Sequence, residues 1–228
     1  MKNIIGIIGG MGPQAGIELC NQLIAVSTRD FGAKNGGDFP EIILDSLPIP
    51  DFISSTKNRV VARKMLKICI NKFNNLQIDQ IGIACNTAHM FLPELQDVSN
   101  TPIVSMIEAV CDALADDMKS VGILASPTTI RFGIYHSALE KRGKIVITPT
   151  LKQQIILEKI IRNVIAGKLL MSDTCRLHKI ASSLRKRGAQ GIILGCTELP
   201  LVFPQKFSLP VFNSLKILAK ALLCNNYK

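Results

Sequence analysis

Short apolar runs alternate with longer segments of helical periodicity along almost the whole chain. The periodicity predicts helices at residues 14–28, 58–76, 107–117, 129–142, 153–166, 173–187 and 214–224. The apolar runs between them predict strands at residues 4–8, 41–47, 80–84, 102–105, 121–125, 144–148, 191–194 and 210–212. Short strands separated by helices are typical of parallel sheets built from right-handed βαβ units, so the predicted class is α/β.

The sequence also contains an internal repeat. Residues 76–87 resemble residues 187–198, because each segment holds a helix end, a short linker, an apolar strand, a small residue and then a cysteine. These cysteines, Cys85 and Cys196, are separated by about half of the 228 residues. The repeat predicts two related α/β halves, each presenting one thiol at the carboxyl end of a strand, where ligands bind in parallel α/β sheets.

Composition and charge exclude several classes of protein. The apolar runs are shorter than the roughly 20 residues that a membrane span needs, so no membrane association is predicted. The first apolar run leads directly into a glycine turn without a cleavage site, which favours a buried strand over a signal peptide. We therefore expect a cytoplasmic location. The net charge of +10 comes from basic residues without aromatic interleaving, so it favours attraction of anionic substrates over nucleic-acid binding.

The cysteine count does not by itself reveal a site. Seven cysteines in no regular spacing, with three histidines that never pair with them at ligand spacing, predict neither a disulfide framework nor a metal site. A single cysteine is most often a small buried apolar residue. Two cysteines in repeated contexts weaken that reading, and a thiol at a strand end beside turn amides is expected to be partly exposed with a lowered pKa.

A glycine-rich turn follows the first predicted strand, at residues 6–13. Its spacing does not match the Gly-x-Gly-x-x-Gly pattern of dinucleotide binding, and Pro13 removes one backbone N–H from the turn. The remaining interpretations are a tight strand-to-helix turn and a turn whose backbone lines a small anion site.

Two opposed thiols suit racemisation at an α-carbon. The reaction removes a proton from one face and delivers a proton to the other, so one thiolate and one thiol suffice and their roles reverse for the other enantiomer. The developing carbanion needs hydrogen-bond donors near its carboxylate, and Asn86, Thr87 and Thr197 stand beside the two cysteines.

Three segments together resemble the aspartate/glutamate racemase superfamily: residues 8–13, 85–89 and 195–200. The similarity extends along nearly the whole chain, including residues 123–126 and the nearby Thr128, Thr129 and Tyr135. Each motif alone is weak, but the combination is specific.

The resemblance implies a fold, an assembly and a set of site residues. We expect two pseudosymmetric domains with the active site in the cleft between them, residues 1–100 with 209–228 forming the first and 101–208 the second. A homodimer is expected, with neither pyridoxal phosphate nor a metal ion as cofactor. Cys85 and Cys196 correspond to the paired acid/bases, and the residues expected to bind the amino-acid substrate are Met11, Asn86, Thr87, Ser126, Thr128, Lys168, Thr197 and Glu198.

Two positions determine which branch the chain resembles. Glu198 follows the second Cys-Thr pair, as in aspartate racemases, and it is expected either to polarise Cys196 or to make a structural hydrogen bond. Phe52 stands where aspartate racemases commonly carry an arginine that grips a substrate carboxylate, so Phe52 is a candidate specificity residue. Lys168 is either a second carboxylate ligand or a solvated helix-end lysine, and Arg59 is the nearest arginine in sequence that could compensate.

The leading hypothesis is therefore a cofactor-independent aspartate racemase. A broad-specificity or glutamate racemase is the first alternative, since Phe52 departs from the aspartate pattern. Other members of the superfamily isomerise maleate or decarboxylate arylmalonates, with one thiol as a nucleophile in some reactions. A catalytically silent amino-acid-binding protein is the alternative from a different class. His89, which follows the first cysteine motif, is expected to be a satisfied packing residue.

Overall fold

Two four-stranded parallel sheets form the framework in a computed structural model, which describes residues 4–52 and 57–224. The first sheet has the order β2-β1-β3-β4, formed by β1 (Ile4–Gly9), β2 (Glu41–Ser46), β3 (Gln80–Ile83) and β4 (Ile103–Val104). The second has the order β6-β5-β7-β8, formed by β5 (Ser120–Ala125), β6 (Ile145–Ile147), β7 (Ile192–Gly195) and β8 (Val211–Asn213). The strand orders are equivalent, which confirms the two related α/β halves predicted from the repeat.

Helices connect the strands in both halves. They are α1 (Pro13–Phe31), α2 (Arg59–Asn74), α3 (Leu92–Gln96), α4 (Met106–Asp112), α5 (Pro127–Arg131), α6 (His136–Glu140), α7 (Leu151–Ile165), α8 (Met171–Lys186) and α9 (Ser214–Cys224). Among these described helices, none combines the length and the apolar character that crossing a membrane requires.

One hydrophobic core is shared by both sheets. Ile7 of β1 and Ile123 of β5 belong to the same cluster of buried side chains, together with Leu19 of α1, Val110 of α4 and Leu218 of α9. Separate clusters cover the outer faces, where α2 packs on the first sheet and α7 and α8 pack on the second. The shared core therefore holds the two halves against each other and sets how their strand ends face.

The last helix returns to the first half. β8 pairs in parallel with β7, with Val211 opposite Ile192, so residues 211–213 belong to the second sheet. α9 then packs against α1 and α4. By sheet membership the return begins at Ser214, a few residues after the predicted boundary at 209.

The structure corrects two predicted helices. The helix predicted at 129–142 is divided into α5 and α6, because Gly133 adopts a left-handed conformation with φ 58°. Ile134 N–H donates to the carbonyl oxygen of Thr129, which closes α5 in the manner of a helix C-terminus. The helix predicted at 107–117 ends at Asp112. The division at Gly133 places Tyr135 in the interior, where it is 1% exposed.

The turn between β1 and α1 generates a stability prediction. Gly10 has φ +92°, and a Cβ there would overlap the carbonyl oxygen of Leu47, whose own N–H donates to the carbonyl oxygen of Gly9. We therefore expect Gly10→Ala to lower the free energy of unfolding by about 2 kcal/mol or more, through strain and a backbone clash. Denaturant unfolding measures this change. Gly36→Ala is the matched control, because a Cβ there meets no atom within 4 Å. Equal stability of the two variants would contradict the prediction.

Candidate active site

The two repeated cysteines lie at equivalent places in the two sheets. Cys85 follows β3 and Cys196 follows β7, and both strands are interior members of their sheets. A short 3-10 helix comes soon after each cysteine, at Thr87–Phe91 in the first half and Leu199–Leu201 in the second. Both thiols are almost completely buried, with exposures of 3% for Cys85 and 6% for Cys196.

A chain of buried hydrogen bonds joins the ends of β3 and β7. The Tyr135 hydroxyl donates to Asn86 Oδ1 at 2.5 Å, and Asn86 Nδ2 donates to Ser214 Oγ at 3.1 Å. Ser214 Oγ in turn donates to the carbonyl oxygen of Leu194 at 2.9 Å. The Asn86 amide therefore positions the first cysteine segment against the second half, and one of its two N–H groups is left for another acceptor.

Three buried hydroxyl groups form a second connection between the halves. Thr87 Oγ1 lies 3.0 Å from Ser126 Oγ and 2.9 Å from Thr129 Oγ1, and Ser126 Oγ lies 3.0 Å from Thr129 Oγ1. Ser126 also caps α5 by accepting the Thr129 N–H. Thr87 and Ser126 were predicted to bind substrate, and the structure brings these two hydroxyl groups together beside Cys85.

Glu198 is a buried carboxyl group held from both halves. Its Oε2 accepts from Cys196 Sγ at 3.0 Å and from Thr197 Oγ1 at 3.1 Å, and its Oε1 accepts from the Gly12 N–H at 3.2 Å. Burial raises the pKa of Glu198, and the hydrogen bonds from Cys196, Gly12 and Thr197 oppose this rise. Of the two predicted roles, the structure shows direct contact with the second thiol, with the Gly12 turn as an additional partner.

The expectation of exposed thiols with lowered pKa values is wrong. Burial raises the pKa of Cys85 to about 12, with a further rise from the charge of Glu198, although the N–H groups of Ala88 and Thr87 and the Thr87 hydroxyl act in the opposite direction. Burial and the adjacent Glu198 carboxylate raise the pKa of Cys196 well above its ordinary value. The turn amides are present as predicted, but desolvation of two enclosed thiols outweighs them.

A cavity of about 240 Å³ opens next to these groups. It is lined by residues 10–13 and 49–52 of the first half and by Arg162, Ile165 and Ala166 of the second. Phe52 is 1% exposed, and its carbonyl oxygen accepts from Thr128 Oγ1 at 3.0 Å. The Thr128 hydroxyl, predicted to bind substrate, is therefore engaged in holding the cavity wall.

Further contacts close the two halves around this cavity. Arg162 forms an ion pair with Asp51 at 3.0 Å, and Gln14 Nε2 donates to the carbonyl oxygen of Ile165 at 3.2 Å. Together with the Gly12–Glu198 hydrogen bond, they tie the loops of the first half to α7 and to the second cysteine segment. Met11 is buried in the same apolar cluster as Cys85, so the turn also packs against the first cysteine segment.

The structure does not bring two predicted cations to the cavity. Lys168 is exposed in the turn after α7 and is absent from the described lining residues. The Arg59 guanidinium lies 4.4 Å from the centre of the Phe132 ring, and both residues line a different depression. Arg59 therefore does not replace the arginine that Phe52 displaces.

Sequence reasoning missed several residues that hold the site. Ser214 begins the returning helix and Thr129 lies inside α5, so neither stands next to a cysteine in the sequence. Arg162 lies among ordinary charged residues of an amphipathic helix, and nothing in the pattern indicates that it pairs with Asp51. Each of these contacts connects the two halves, and only the packing of the halves reveals them.

His89 is a satisfied packing residue, as predicted. Its Nε2 accepts the Met106 N–H at 3.0 Å, so its Nδ1 carries the proton and donates to the carbonyl oxygen of Cys85 at 2.9 Å. Burial lowers the pKa of His89 to about 4. The neutral ring therefore connects the first cysteine segment to the start of α4.

Comparison with known proteins gives consistent matches over both halves. The family model described as Asp/Glu/Hydantoin racemase matches residues 8–222. The broad specificity amino-acid racemase RacX of Bacillus subtilis is 26% identical over 219 residues, covering 96% of each chain. Among solved structures, the Picrophilus torridus aspartate racemase has a TM-score of 0.86 at 27% identity, covering 98% of this chain and 94% of that one. An aspartate racemase homologue from Pyrococcus horikoshii has a TM-score of 0.81 at 28% identity, covering both chains completely.

The geometry of His89 predicts a pH-dependent stability. The folded protein keeps His89 neutral down to a pKa of about 4, whereas an unfolded histidine takes up a proton below about pH 6.5. Stability is therefore lost as the pH falls, and His89 should account for a loss of about 1.5 kcal/mol of unfolding free energy between pH 6.5 and pH 5. Denaturant unfolding of wild type and His89→Gln over this range measures the difference. His178→Gln, at an exposed histidine, should keep the wild-type dependence, and a wild-type slope in His89→Gln would disprove the assignment.

Proposed function

We propose that this chain, which belongs to the Asp/Glu/hydantoin racemase family, racemises amino acids by moving the Cα proton between Cys85 and Cys196 without a cofactor. The observation that supports this mechanism best is the pair of buried thiols at equivalent strand ends, with the Glu198 carboxylate acting electrostatically on both. Relatives with the same two-half architecture include amino-acid racemases.

The proposed reaction balances its protons within the pair of cysteines. The thiolate of one cysteine removes the Cα proton and becomes a thiol, leaving a carbanion stabilised by the substrate carboxylate. The thiol of the other cysteine protonates the opposite face and becomes the thiolate. Donors for the carboxylate are the remaining N–H of Asn86, the hydroxyl group of Thr87 and the adjacent backbone amides. The Thr197 hydroxyl donates to Glu198 in the free protein, so its predicted role in binding the carboxylate requires it to change partner.

The surroundings of the two thiols differ, and this difference decides which one ionises first. Cys85 receives hydrogen bonds from the N–H groups of Thr87 and Ala88, which favour a thiolate. The Cys196 thiol donates a hydrogen bond to the Glu198 carboxylate, and this contact favours the protonated thiol. In the free protein, these contacts therefore favour the thiolate form more at Cys85 than at Cys196. The ammonium group of a bound amino acid brings a positive charge that lowers the pKa values of both thiols.

Two substrate ranges follow from the relatives and the residues. Aspartate is the substrate that the resemblance favours, but Lys168, the predicted carboxylate ligand, lies outside the described cavity lining. The similarity to RacX over almost the whole chain, together with the buried Phe52 in the cavity wall, favours a broader range of amino acids. We also propose that the protein forms a homodimer, and analytical ultracentrifugation measures its oligomeric state.

Substitution of either cysteine should abolish racemisation. We expect Cys85→Ser and Cys196→Ser each to lower kcat/KM by about 10²–10⁴-fold, because each removes one acid/base group. Chiral chromatography of a panel of amino acids, with deuterium uptake at Cα from heavy water, measures the effect. Cys175→Ser changes an exposed cysteine and Cys111→Ser a buried one outside the site, so both should stay near wild type. Full activity in both site variants would exclude the two-thiol mechanism.

Glu198→Gln should affect the proton transfers of Cys196 more than those of Cys85, because Glu198 contacts the Cys196 thiol directly and acts on Cys85 only through its charge. We expect kcat/KM to fall by about 10–100-fold for both enantiomers equally, because the equilibrium constant of a racemisation is one. Proton transfer at Cys196 then limits both directions. The isotope effect of Cα-deuterated substrate should consequently rise for the enantiomer deprotonated by Cys196 and fall for the other.

The isotope pattern separates this role from general damage to the site. Glu140→Gln neutralises an exposed carboxylate on α6 and should leave rates and isotope effects unchanged. If Glu198→Gln lowers the rate while both enantiomers keep their wild-type isotope effects, Glu198 holds the Gly12 turn and does not act through Cys196.

A further inference from the structure

The wall of the cavity next to the thiols is predominantly apolar. Side chains of Met11, Pro13, Ile49, Pro50, Phe52 and Ile165 line it. Its volume of about 240 Å³ is below the usual range for drug-sized ligands and suits a ligand as small as one amino acid. An apolar wall of this kind stabilises a hydrocarbon side chain and leaves a buried carboxylate without partners.

Two residues of the cavity wall connect it to the reacting groups, which do not themselves line it. Gly12 lines it and donates its N–H to Glu198, the carboxyl group that accepts from the Cys196 thiol. Met11 also lines it and packs in the apolar cluster that contains Cys85. A substrate with its Cα between the two thiols therefore has this cavity as the space available for its side chain.

Phe52 is fixed in place as part of the wall. Its ring lies 6.2 Å from the Phe91 ring, centre to centre, and its carbonyl oxygen accepts from Thr128 of the other half. With 1% exposure, the side chain is packed on the protein and is not a surface residue that could swing aside. The wall therefore presents an aromatic surface at this position.

Arg162 is the single cation among the described residues that line the cavity, and it already has two carboxylate partners. Its guanidinium contacts Asp51 at 3.0 Å and Glu158 at 3.1 Å. One positive charge thus faces two negative charges, and a substrate carboxylate would have to compete with both. The guanidinium of Arg162 is therefore already engaged and is not a free partner for a substrate carboxylate.

From these observations we infer that the site selects α-amino acids with uncharged, apolar side chains of about the size of leucine or methionine over aspartate, with Phe52 as the specificity-determining residue. This inference rests on the proposed function and specifies its substrate class. In this arrangement, the Arg162–Asp51 ion pair closes the cavity and does not bind a substrate carboxylate.

The wild-type enzyme provides the first test. Leucine, asparagine and aspartate share branching at Cγ and differ there in polarity and charge. We expect kcat/KM to decrease in the order leucine, asparagine, aspartate, with at least about a tenfold difference between the first and the last. An aspartate value equal to or above the leucine value overturns the inference and leaves the racemase proposal standing. If no proteinogenic amino acid exchanges its Cα hydrogen with solvent, the racemase proposal itself fails.

Substitutions at two positions identify the responsible residues. Phe52→Arg should shift the ratio of leucine to aspartate kcat/KM towards aspartate by at least about tenfold, because arginine offers a carboxylate two parallel hydrogen bonds. Leu151→Arg adds the same charge at an 87% exposed position of α7 and should leave the ratio unchanged.

Arg162→Gln provides a test that does not alter the buried wall. It should change leucine and aspartate turnover by the same factor, because closure affects both substrates. A loss confined to aspartate would show that Arg162 binds the substrate carboxylate and would overturn the inference. This variant keeps the inference testable if Phe52→Arg does not fold.

Discussion

The carboxylate of Glu198 receives a hydrogen bond from each half of the molecule, and the geometry of the site depends on this shared acceptor. One oxygen takes the Gly12 N–H from the turn after β1, and the other takes the Cys196 thiol at the end of β7. Packing of the two halves removes this carboxyl group from water, and the Gly12 N–H from the first half replaces part of the lost hydration. On the side of Cys85, the hydrogen bonds of Tyr135, Asn86 and Ser214 and the hydroxyl cluster at Thr87 also connect the two halves. Closure of the halves and assembly of the site are therefore one event.

Burial at this junction determines the ionisation of the site. Both thiols and the carboxyl group have raised pKa values in the free protein because water is excluded from all three. In the proposed reaction, a substrate ammonium group brings a positive charge next to the thiols, so substrate binding and thiol ionisation are coupled. An enclosed site also strengthens the electrostatic interactions that stabilise a carbanion. The same desolvation that disfavours the thiolate in the empty protein thus favours the reaction once the substrate is bound.

The sequence predicts those features that are written in local pattern or in repetition. Alternating runs predicted the eight strands, and the repeat of residues 76–87 at 187–198 identified Cys85 and Cys196 among seven cysteines. Features that arise from packing of the halves could not be predicted. The pKa of Cys85 depends on how much water is excluded, and the partners of Arg162 and Asn86 lie 111 and 128 residues away in sequence. Gly133 divides a predicted helix through its left-handed conformation, which the apolar periodicity of residues 129–142 does not reveal.

The repeat makes the two cysteines equivalent in position without making them equivalent in chemistry. Two backbone N–H groups and the Thr87 hydroxyl act on Cys85, whereas Cys196 contacts a carboxylate as well as one backbone N–H. Racemisation permits this asymmetry, because an equilibrium constant of one requires kcat/KM to be equal for the two enantiomers and places no such condition on the two proton transfers. Either transfer can then be the slower step, provided that both directions pass through the same pair of transition states. The pseudosymmetric fold supplies two opposed faces for the substrate, and the residues after each cysteine were free to diverge. The cavity that we infer to hold the substrate side chain is lined largely by the first half, so selection at Phe52 does not depend on the symmetry that the proposed chemistry uses.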